Sequence, residues 1–276
     1  MTRPDRTSPT QTGPRRAIVL AGRRSTDDPL ARAAGAPHRA LLEIAGEPML
    51  VRVVKLLAAR TTIDQILINI DEPALLDDIG ALASLRESGR VEIMKSTDSP
   101  SRSVLESLEW SDLKAGPVLV TTADHALLDD DMLDAFLGDS EKTDADLTLA
   151  LVSRTTIETR FPETRRTYLR FRDGDYSGAN LFLFRSEQAA RAATFWRRVE
   201  SQRKQPWRLA RAFGYGSLLL FLTRRLDLAS AFDRVSTTIG TRVRAVPIEI
   251  AEAAIDVDKL EDLELVRRIL ADRGNA

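Results

Sequence analysis

Short apolar runs alternate with helix-like patterns along the first half of the chain. The apolar runs are bounded by polar or turn-forming residues and predict buried strands over residues 17–20, 65–70, 91–94, 117–122 and 146–153. Apolar positions at helical spacing predict helices over residues 47–59, 73–86, 101–109 and 130–137. This repeated order predicts an α/β fold, in which a mostly parallel sheet carries helices on both faces. Because such sheets bind ligands beyond the carboxyl ends of their strands, the loops after Leu20 and Thr122 are the first candidates for a site.

The second half of the chain has a different pattern. Residues 167–172 and 179–184 read as strands around the turn signal Asp173-Gly174, either as a hairpin or as two strands joined by a longer loop. Residues 187–240 read as helical, with breaks at Pro206 and at two nearby glycines. A further strand over 243–250 and a final helix over 260–273 complete the prediction.

Composition narrows the class of protein. The 276 residues are 43% hydrophobic, which is enough for the core of one large domain. Lys and Arg total 40 against 41 Asp and Glu, a balance that argues against general nucleic-acid binding. The absence of cysteine excludes disulfides, thiolate zinc sites and a catalytic thiol. Residues 1–14 lack the apolar stretch of a secretory signal, so we expect a disordered tail and a cytoplasmic protein.

The end of the first strand is a candidate phosphate-binding loop. Gly22 follows the strand and precedes Arg23 and Arg24. Glycine lets backbone N–H groups turn outward to bind phosphate, and arginine forks onto phosphate oxygens. A plain turn with solvated arginines is the alternative. The segment PHRALLEIAGEPML, residues 37–50, then places Arg39 before a leucine pair.

Two acidic segments are candidate metal sites. Asp124 follows the predicted strand 117–122, and a carboxylate at that edge can hold a divalent ion that bridges phosphate oxygens. A helix-capping aspartate is the alternative. Near the end of the chain, Asp256 and Asp258 would point to the same side of a strand end. Asp258 is predicted to cap the final helix, since Glu261 lies three residues later.

Together, RAIVLAGRR, PHRALLEIAGEPML, VLVTTADHALL and AIDVDKLEDLEL resemble the MobA-like nucleotidyltransferases. The resemblance covers residues 15–186 and 243–272 and leaves 187–240 outside it. It implies a three-layer, Rossmann-like sheet of the nucleotide-diphospho-sugar transferase type, forming a domain over 15–276 with a helical insertion at 187–240. Two positions depart from the family pattern. Arg23 replaces a small residue, and Arg39 replaces a lysine with a cation of different geometry.

The resemblance also implies roles for individual residues. Mg²⁺ or Mn²⁺ would be held by Asp124 and Asp256. The nucleotide would be bound by Leu20, Ala21, Gly22, Arg23, Arg24, Arg39, Ser99, Ser101, Ser103 and Asp124, of which Arg24, Arg39 and Asp124 are the expected catalytic residues. The acceptor would be bound by His125, Arg170, Arg172, Gly178 and Asn180. A plain N-cap at Ser101 and solvated surface arginines are the alternatives for two of these groups.

We therefore expect a nucleotidyltransferase that joins the NMP of an NTP to a phosphorylated metabolite and releases pyrophosphate. The expected NTP is CTP or GTP. A glycosyltransferase of related fold that uses an NDP-sugar, and a non-catalytic nucleotide-binding regulator, are the alternatives. In the insertion, Trp196 and Trp207 lie among basic residues. This pattern fits a subdomain that shapes the acceptor pocket. It also fits a membrane-surface element over 195–225, at the inner face of the membrane, or a homodimer interface.

Overall fold

The computed structural model describes residues 13–23, 27–202 and 215–274. Nearly all of the predicted tail, and the predicted catalytic residue Arg24, lie outside the described residues. The same holds for Pro206 and Trp207 of the predicted insertion.

One eight-stranded sheet forms the centre of the fold. Its strand order is β10-β7-β9-β6-β1-β4-β5, with the short β8 paired to β9. All pairs are parallel except those of β9, which runs antiparallel to β6, β7 and β8. A separate two-stranded ribbon joins β2 to β3. In chain order the strands are Arg16–Leu20 (β1), Glu43–Ile44 (β2), Glu47–Pro48 (β3), Gln65–Ile70 (β4), Val91–Lys95 (β5), Val118–Thr122 (β6), Leu147–Ser153 (β7), Leu169–Arg170 (β8), Asp175–Phe184 (β9) and Val243–Pro247 (β10).

Helices connect the strands and cover both faces of the sheet. They are Pro29–Ala33 (α1), Met49–Ala59 (α2), Gly80–Glu87 (α3), Pro100–Ser111 (α4), Asp130–Glu141 (α5), Arg154–Arg160 (α6), Ala190–Gln202 (α7), Tyr215–Leu222 (α8), Leu228–Ile239 (α9) and Leu260–Gly274 (α10). Short 3₁₀ helices occupy Arg39–Leu41, Pro73–Leu76, Glu187–Ala189 and Ala251–Ala254.

The central strand β1 shows why the molecule has three layers. Ala17 and Val19 point into one core, which includes side chains of α2, α5 and α10, whereas Ile18 points into a second core with side chains of α4 and α7. All three residues are fully buried. Successive side chains of a strand point to opposite faces, so an apolar run without alternation is buried on both sides. The predicted three-layer, mostly parallel sheet is confirmed.

The predicted turn at Asp173-Gly174 proves to be a short hairpin followed by a long strand. Leu169 and Arg170 pair with Tyr176 and Asp175, after which β9 continues between β6 and β7 as far as Phe184. The local pattern gave the strands but not this direction, because alternation is the same in parallel and antiparallel strands.

Two predicted helix caps fall on other residues. Ser99, and not Ser101, caps α4, since its hydroxyl accepts the Arg102 N–H and Pro100 occupies the first helical position. At the start of α10, the Asp262 carboxylate accepts the backbone N–H groups of Asp258 and Lys259. Neither the predicted cap Asp258 nor its predicted partner Glu261 supplies this acceptor.

The predicted insertion contributes the helices α7, α8 and α9 among the residues that the structure describes. Helix α7 packs against α4, and α9 packs against β10. Within 13–23, 27–202 and 215–274, no helix has both the length and the apolar character needed to cross a bilayer.

Two leucines on helices should respond very differently to truncation. Leu57 on α2 is fully buried, whereas Leu219 on α8 is 62% exposed. We expect Leu57→Ala to lower the free energy of unfolding by about 2–5 kcal/mol, because it removes buried methyl groups and leaves a cavity. The matched control Leu219→Ala should change it by no more than about 0.5 kcal/mol. Urea unfolding measures both, and equal losses would contradict this packing.

Candidate active site

The register of the parallel strands brings the candidate loops together. Leu20 at the end of β1 lies opposite Thr122 at the end of β6 and opposite Asn69 near the end of β4. The Ala123 N–H donates to the Leu20 carbonyl at 2.9 Å, which joins the two loops directly. The segment after the last 3₁₀ helix joins the same edge, because the Val257 N–H donates to the Asp124 carbonyl at 3.1 Å.

A cavity of about 760 Å³ opens at this edge of the sheet. Seven of the predicted site residues line it: Leu20, Gly22, Arg23, Arg39, Asp124, Asn180 and Asp256. Of the described residues, the remaining predicted ones do not line it: Ala21, Ser99, Ser101, Ser103, His125, Arg170, Arg172 and Gly178. Its polar wall also includes Thr122 and the acidic residues Asp27, Asp28 and Asp258.

Asp124 is a half-buried carboxylate with unusual electrostatics. Burial raises the pKa of Asp124 to about 6, and the nearby carboxylates of Asp256 and Asp258 add to the shift. A hydrogen bond from the Thr122 hydroxyl and the charge of Arg39 act in the opposite direction. The neighbouring side chains therefore compensate only part of the cost of burying a charge on Asp124.

Asp256 lies beside Asp124 and is fixed by two neighbours. The Arg166 guanidinium donates to its Oδ1 at 2.7 Å and to Asp262 at 2.9 Å, and Asn180 Nδ2 donates to its Oδ2 at 3.3 Å. Burial and the Asp258 carboxylate raise the pKa of Asp256, against the charge of Arg166. Asp256 is thus positioned from two sides while it faces the cavity.

The backbone at Asn180 is specialised for this contact. Asn180 has a backbone φ of 50°, in the left-handed region that residues other than glycine seldom adopt. It lies where the β7–β9 register shifts, between the pairs Leu149–Phe182 and Leu151–Gly178. Irregular pairing of this kind bends a strand locally, and here the Asn180 side chain reaches Asp256.

Arg39 bridges two segments that are distant in the sequence. Its Nε lies 3.0 Å from Asp28 Oδ2, and its Nη1 lies 3.2 Å from Asp258 Oδ1. Nη2 donates to the Asp258 carbonyl at 3.1 Å. Asp28 also caps α1 by accepting the Leu30 N–H at 2.9 Å. A guanidinium has five N–H donors, so these contacts leave it capacity for a ligand.

Asp71 fixes the first loop. It follows β4 and accepts two hydrogen bonds from Arg23. The backbone N–H of Arg23 donates at 3.2 Å, and the Nε of the Arg23 side chain donates at 2.9 Å. His38 is fully buried and lies with Nε2 2.9 Å from Asp71 Oδ1, while its Nδ1 accepts the Ala40 N–H. Nε2 therefore carries the donated proton. Burial alone would raise the pKa of Asp71, but the bond from His38 holds it below its usual value.

Arg23 is consequently engaged by the protein itself. Besides Asp71, its guanidinium contacts Glu72 and the Pro37 carbonyl, and only 8% of its side chain is exposed. Gly22, beside it, lies close to a second loop. A Cβ on Gly22 would lie 2.9 Å from the Ser96 hydroxyl, so the glycine lets the two loops approach without displacement of that side chain.

The predicted base-binding serines form a hydrogen-bonded cluster at the start of α4. Ser99 and Ser101 hydroxyls lie 2.9 Å apart, and Ser103 accepts the Thr97 N–H at 2.9 Å. Ser101 and Ser103 are buried, so their hydroxyls organise the loop before the helix. The neighbours that line the cavity are Pro100 and Val104.

The predicted acceptor residues other than Asn180 lie elsewhere. His125 is 1% exposed, and burial lowers its pKa to about 4. Arg170 is exposed on β8, and Arg172 lies beyond that strand and pairs with Asp227 at 3.0 Å. Only Arg170 lies on a strand, so the two arginines do not share a strand face. The arginine of this segment that reaches the site is Arg166.

Several residues that hold the site together were not predicted as site residues, among them Asp28, Asp71, Arg166 and Asp262. Asp71 carries the signal that identified Asp124, a carboxylate just after a buried parallel strand. The contacts of Asp28 and Asp262 involve Arg39 and Arg166, and no local pattern indicates such distant pairs.

The donor set suits a hard divalent cation shared with a substrate. Among the described residues, no group of three or more His, Asp or Glu side chains forms a complete metal cage. Mg²⁺ is commonly held by one or two carboxylates together with substrate phosphates and water. Asp124 and Asp256 supply such a pair, and the raised pKa of each indicates a position that favours added positive charge.

Known proteins similar to this chain share one class of fold. A sequence profile for the MobA-like NTP transferase domain matches residues 17–233. A hypothetical transferase from Thermus thermophilus is 30% identical, with a TM-score of 0.73 over 91% of this chain and 100% of its own. The matched range runs through most of 187–240 and ends before the last strand and helix.

Two solved enzymes share the fold at 12% identity. One is a CMP:2-keto-3-deoxy-manno-octonic acid synthetase complexed with CTP, with a TM-score of 0.58 over 95% of this chain and 100% of its own. The other is a 4-diphosphocytidyl-2C-methyl-D-erythritol synthase from Anaerococcus prevotii, with a TM-score of 0.53 over 93% and 95%. No curated protein matches the sequence.

The raised pKa of Asp124 predicts a pH-dependent effect of its charge on stability. In the unfolded chain this carboxyl titrates near its ordinary pKa of about 4, whereas in the folded protein it titrates near 6. The folded state therefore binds the proton more tightly, so ionisation of this carboxyl lowers stability as the pH rises from about 4 to 6, and the loss stays constant above that range. Asp124→Asn keeps an acceptor for the Thr122 hydroxyl and removes the charge.

Without divalent ions, we expect Asp124→Asn to melt at a higher temperature than the unsubstituted protein at pH 8. The difference should shrink as the pH falls through 6 toward 4, because both side chains are then neutral. Thermal melts followed by circular dichroism across this range measure the effect. Parallel melting curves at all pH values would show that the Asp124 pKa is not raised.

Proposed function

This chain belongs to the MobA-like NTP transferase family and is a nucleotidyltransferase, and we propose that it transfers the NMP of an NTP to a phosphorylated small molecule. Pyrophosphate is the second product. The observation that carries this proposal is the meeting of Asp124, Asp256 and Arg39 in one cavity beside the loop that follows β1.

The charges at the cavity mouth favour a substrate that arrives with its own cation. Among the described residues that line the cavity, the carboxylates of Asp27, Asp28, Asp124, Asp256 and Asp258 outnumber the guanidiniums of Arg23 and Arg39. A triphosphate alone would be repelled by this excess of carboxylates, whereas a triphosphate carrying Mg²⁺ would be attracted by it.

Nucleotidyltransferases of this kind generally use a divalent metal ion. Here Asp124 and Asp256 would hold it, and Arg166 and Asn180 would keep Asp256 in place. When bound, the ion would neutralise charge on the phosphate oxygens. The oxygen-only donor pair favours Mg²⁺ or Mn²⁺ over softer metals.

The chemistry needs positioning more than proton transfer. An oxygen of the acceptor phosphate attacks the α-phosphorus, the bond from that phosphorus to the β-phosphate oxygen breaks, and pyrophosphate leaves. No covalent enzyme intermediate is required. The protein would hold the two substrates in line and stabilise the charge that develops on the leaving pyrophosphate.

The two described arginines of the predicted phosphate site have different surroundings. Arg39 lines the cavity with 27% of its side chain exposed and keeps unused N–H donors, which supports a direct contact with phosphate. The Arg23 guanidinium contacts Asp71, Glu72 and Pro37 and is only 8% exposed, which supports a role in holding the loop. Arg39 would thus replace the lysine of the family with a forked donor.

CTP is the first nucleotide to test, with GTP second. The synthetase of similar fold was solved in complex with CTP. The nucleobase would lie on the β1 side of the cavity, near Pro100 and Val104 at the start of α4.

A pyrophosphate-release assay tests the function directly. The four NTPs are paired with phosphorylated acceptors in the presence of Mg²⁺, and we expect release with at least one pair. Asp124→Asn should lower kcat/KM by about 100-fold or more, since it removes a charged ligand from the transition state. The control variant Asp134→Asn changes an exposed side chain on α5 that pairs with Arg60, and it should retain activity.

A second readout does not depend on turnover. Mg²⁺ together with CTP should raise the melting temperature of the unsubstituted protein, and the rise should be much smaller for Asp124→Asn, because a ligand stabilises the state that binds it. Turnover with an NDP-sugar and none with any NTP would refute the proposal in favour of a glycosyltransferase. NTP binding without pyrophosphate release from any acceptor would instead indicate a regulator.

A further inference from the structure

The cavity does not end at the charged edge but continues along the sheet. Below Asn180 it runs between one face of β7 and β9 and the helix α7. The side chains that line this part are Leu147, Leu149, Phe182, Phe184, Ala193 and Trp196. None of these described side chains carries a charge, so this part of the cavity is chemically distinct from the mouth.

The strand register explains why the wall is continuous. Leu149 lies opposite Phe182, and Leu147 lies opposite Phe184. Residues at alternate positions of a strand share a face, so these four side chains form one surface. The intervening Leu181 and Leu183 belong to the core on the other face of the sheet. Across the cavity lies Ala193 on α7, whose small side chain is 2% exposed and belongs to the second core.

This part of the cavity is deep relative to a phosphate group. Asn180 marks its charged end and Phe184 its far end, and four residues of strand span roughly 13 Å. Leu149 and Phe182 remain partly exposed there, and Trp196 is 42% exposed. Partly exposed apolar side chains in a cavity gain free energy when an apolar ligand displaces water from them.

The strand order indicates which substrate reaches this wall. Strand β6, which ends beside Asp124, lies between β1 on one side and β9 and β7 on the other. The loop after β1 is the proposed triphosphate side. In-line transfer places the attacking and leaving oxygens on opposite sides of the α-phosphorus. The acceptor therefore approaches from the β9 and β7 side, where the apolar wall begins.

We propose that the acceptor is an apolar phosphomonoester, such as an alkyl or isoprenoid phosphate, whose carbon chain lies along β7, β9 and α7. This proposal rests on the proposed nucleotidyl transfer and adds the class of acceptor. The phosphate of the acceptor lies at Asn180 and Asp256, and the chain extends toward Leu147 and Phe184. A polar polyol phosphate would leave the partly exposed Leu149, Phe182 and Trp196 in contact with water.

Chain length provides the first test. Butyl, hexyl and octyl phosphate are compared with glycerol 3-phosphate as acceptors in the pyrophosphate-release assay with Mg²⁺ and each NTP. Burial of a methylene group is worth a factor of about four in affinity. We expect kcat/KM to rise by about 100-fold or more from butyl to octyl phosphate. Equal values along the series, or a preference for glycerol 3-phosphate, would overturn the proposal.

Two variants locate the chain in the cavity. Ala193→Leu fills space between α7 and the sheet and should abolish the gain from butyl to octyl phosphate while it leaves the KM of the NTP unchanged. Trp196→Ala removes an exposed part of the wall and should lower kcat/KM for octyl phosphate by about tenfold. Trp110 lies outside the cavity, where its indole N–H donates to Glu92. The matched control Trp110→Ala should therefore retain the rise in kcat/KM from butyl to octyl phosphate.

The KM values distinguish binding of the acceptor chain to this wall from binding of the nucleobase to it. If Ala193→Leu and Trp196→Ala raise the KM of the NTP and not that of the acceptor, the wall holds the nucleobase and the proposal is wrong. Calorimetric titration with octyl phosphate tests the wall without turnover. Binding that tightens with chain length and is lost in Ala193→Leu would support the apolar site even if no pyrophosphate is released, an outcome that would refute only the transfer reaction.

Discussion

The parallel pairing of β1 with β6 is the constraint on which the rest of the site depends. It sets Leu20 opposite Thr122, so that the phosphate loop and Asp124 leave the sheet side by side. The hydrogen bond from Ala123 to Leu20 extends this pairing by one residue into the loops. A slip of one residue would turn Asp124 to the other face and move it away from Asp256. The buried apolar side chains on both faces of β1 prevent that slip, so the hydrophobic core fixes the geometry of the polar site.

Charge compensation then determines how the loops are held. The loops after β1, β4 and β6 each carry an aspartate, and three arginines contact carboxylates at this edge: Arg23 those of Asp71 and Glu72, Arg39 those of Asp28 and Asp258, and Arg166 those of Asp256 and Asp262. Buried charge pairs of this type add little net stability, but loss of one partner leaves an uncompensated charge. The network therefore contributes order to the site more than it contributes free energy of folding. Burial, with a smaller contribution from the carboxylates of Asp256 and Asp258, moves the pKa of Asp124 far from its ordinary value.

The layered fold and the candidate edge could be predicted from the sequence because both follow from local patterns. Apolar runs mark strands, and polar residues just after them, such as Asp124, mark the carboxyl edge. The same rule applied to Asp71 would have identified the anchor of the first loop, and Pro100 at a helix start would have identified Ser99 as the cap. The long-range pairs could not be predicted in this way. Arg39 and Asp258 are 219 residues apart in the sequence, and nothing near either residue specifies the other. The antiparallel direction of β9 and the bulge at Asn180 depend on tertiary packing and were equally hidden.

The continuous wall along β9 makes this strand a molecular ruler. Side chains face the cavity at every second position, so the depth available to a ligand is divided into steps of about 7 Å. A larger side chain opposite Phe184 or Phe182 would shorten the accepted ligand by one step without a change at Asn180. Selection for ligand length and selection for catalysis can then act on different residues of a single strand. Related chains with this architecture could diverge in the size of molecule they accept while the charged edge stays the same.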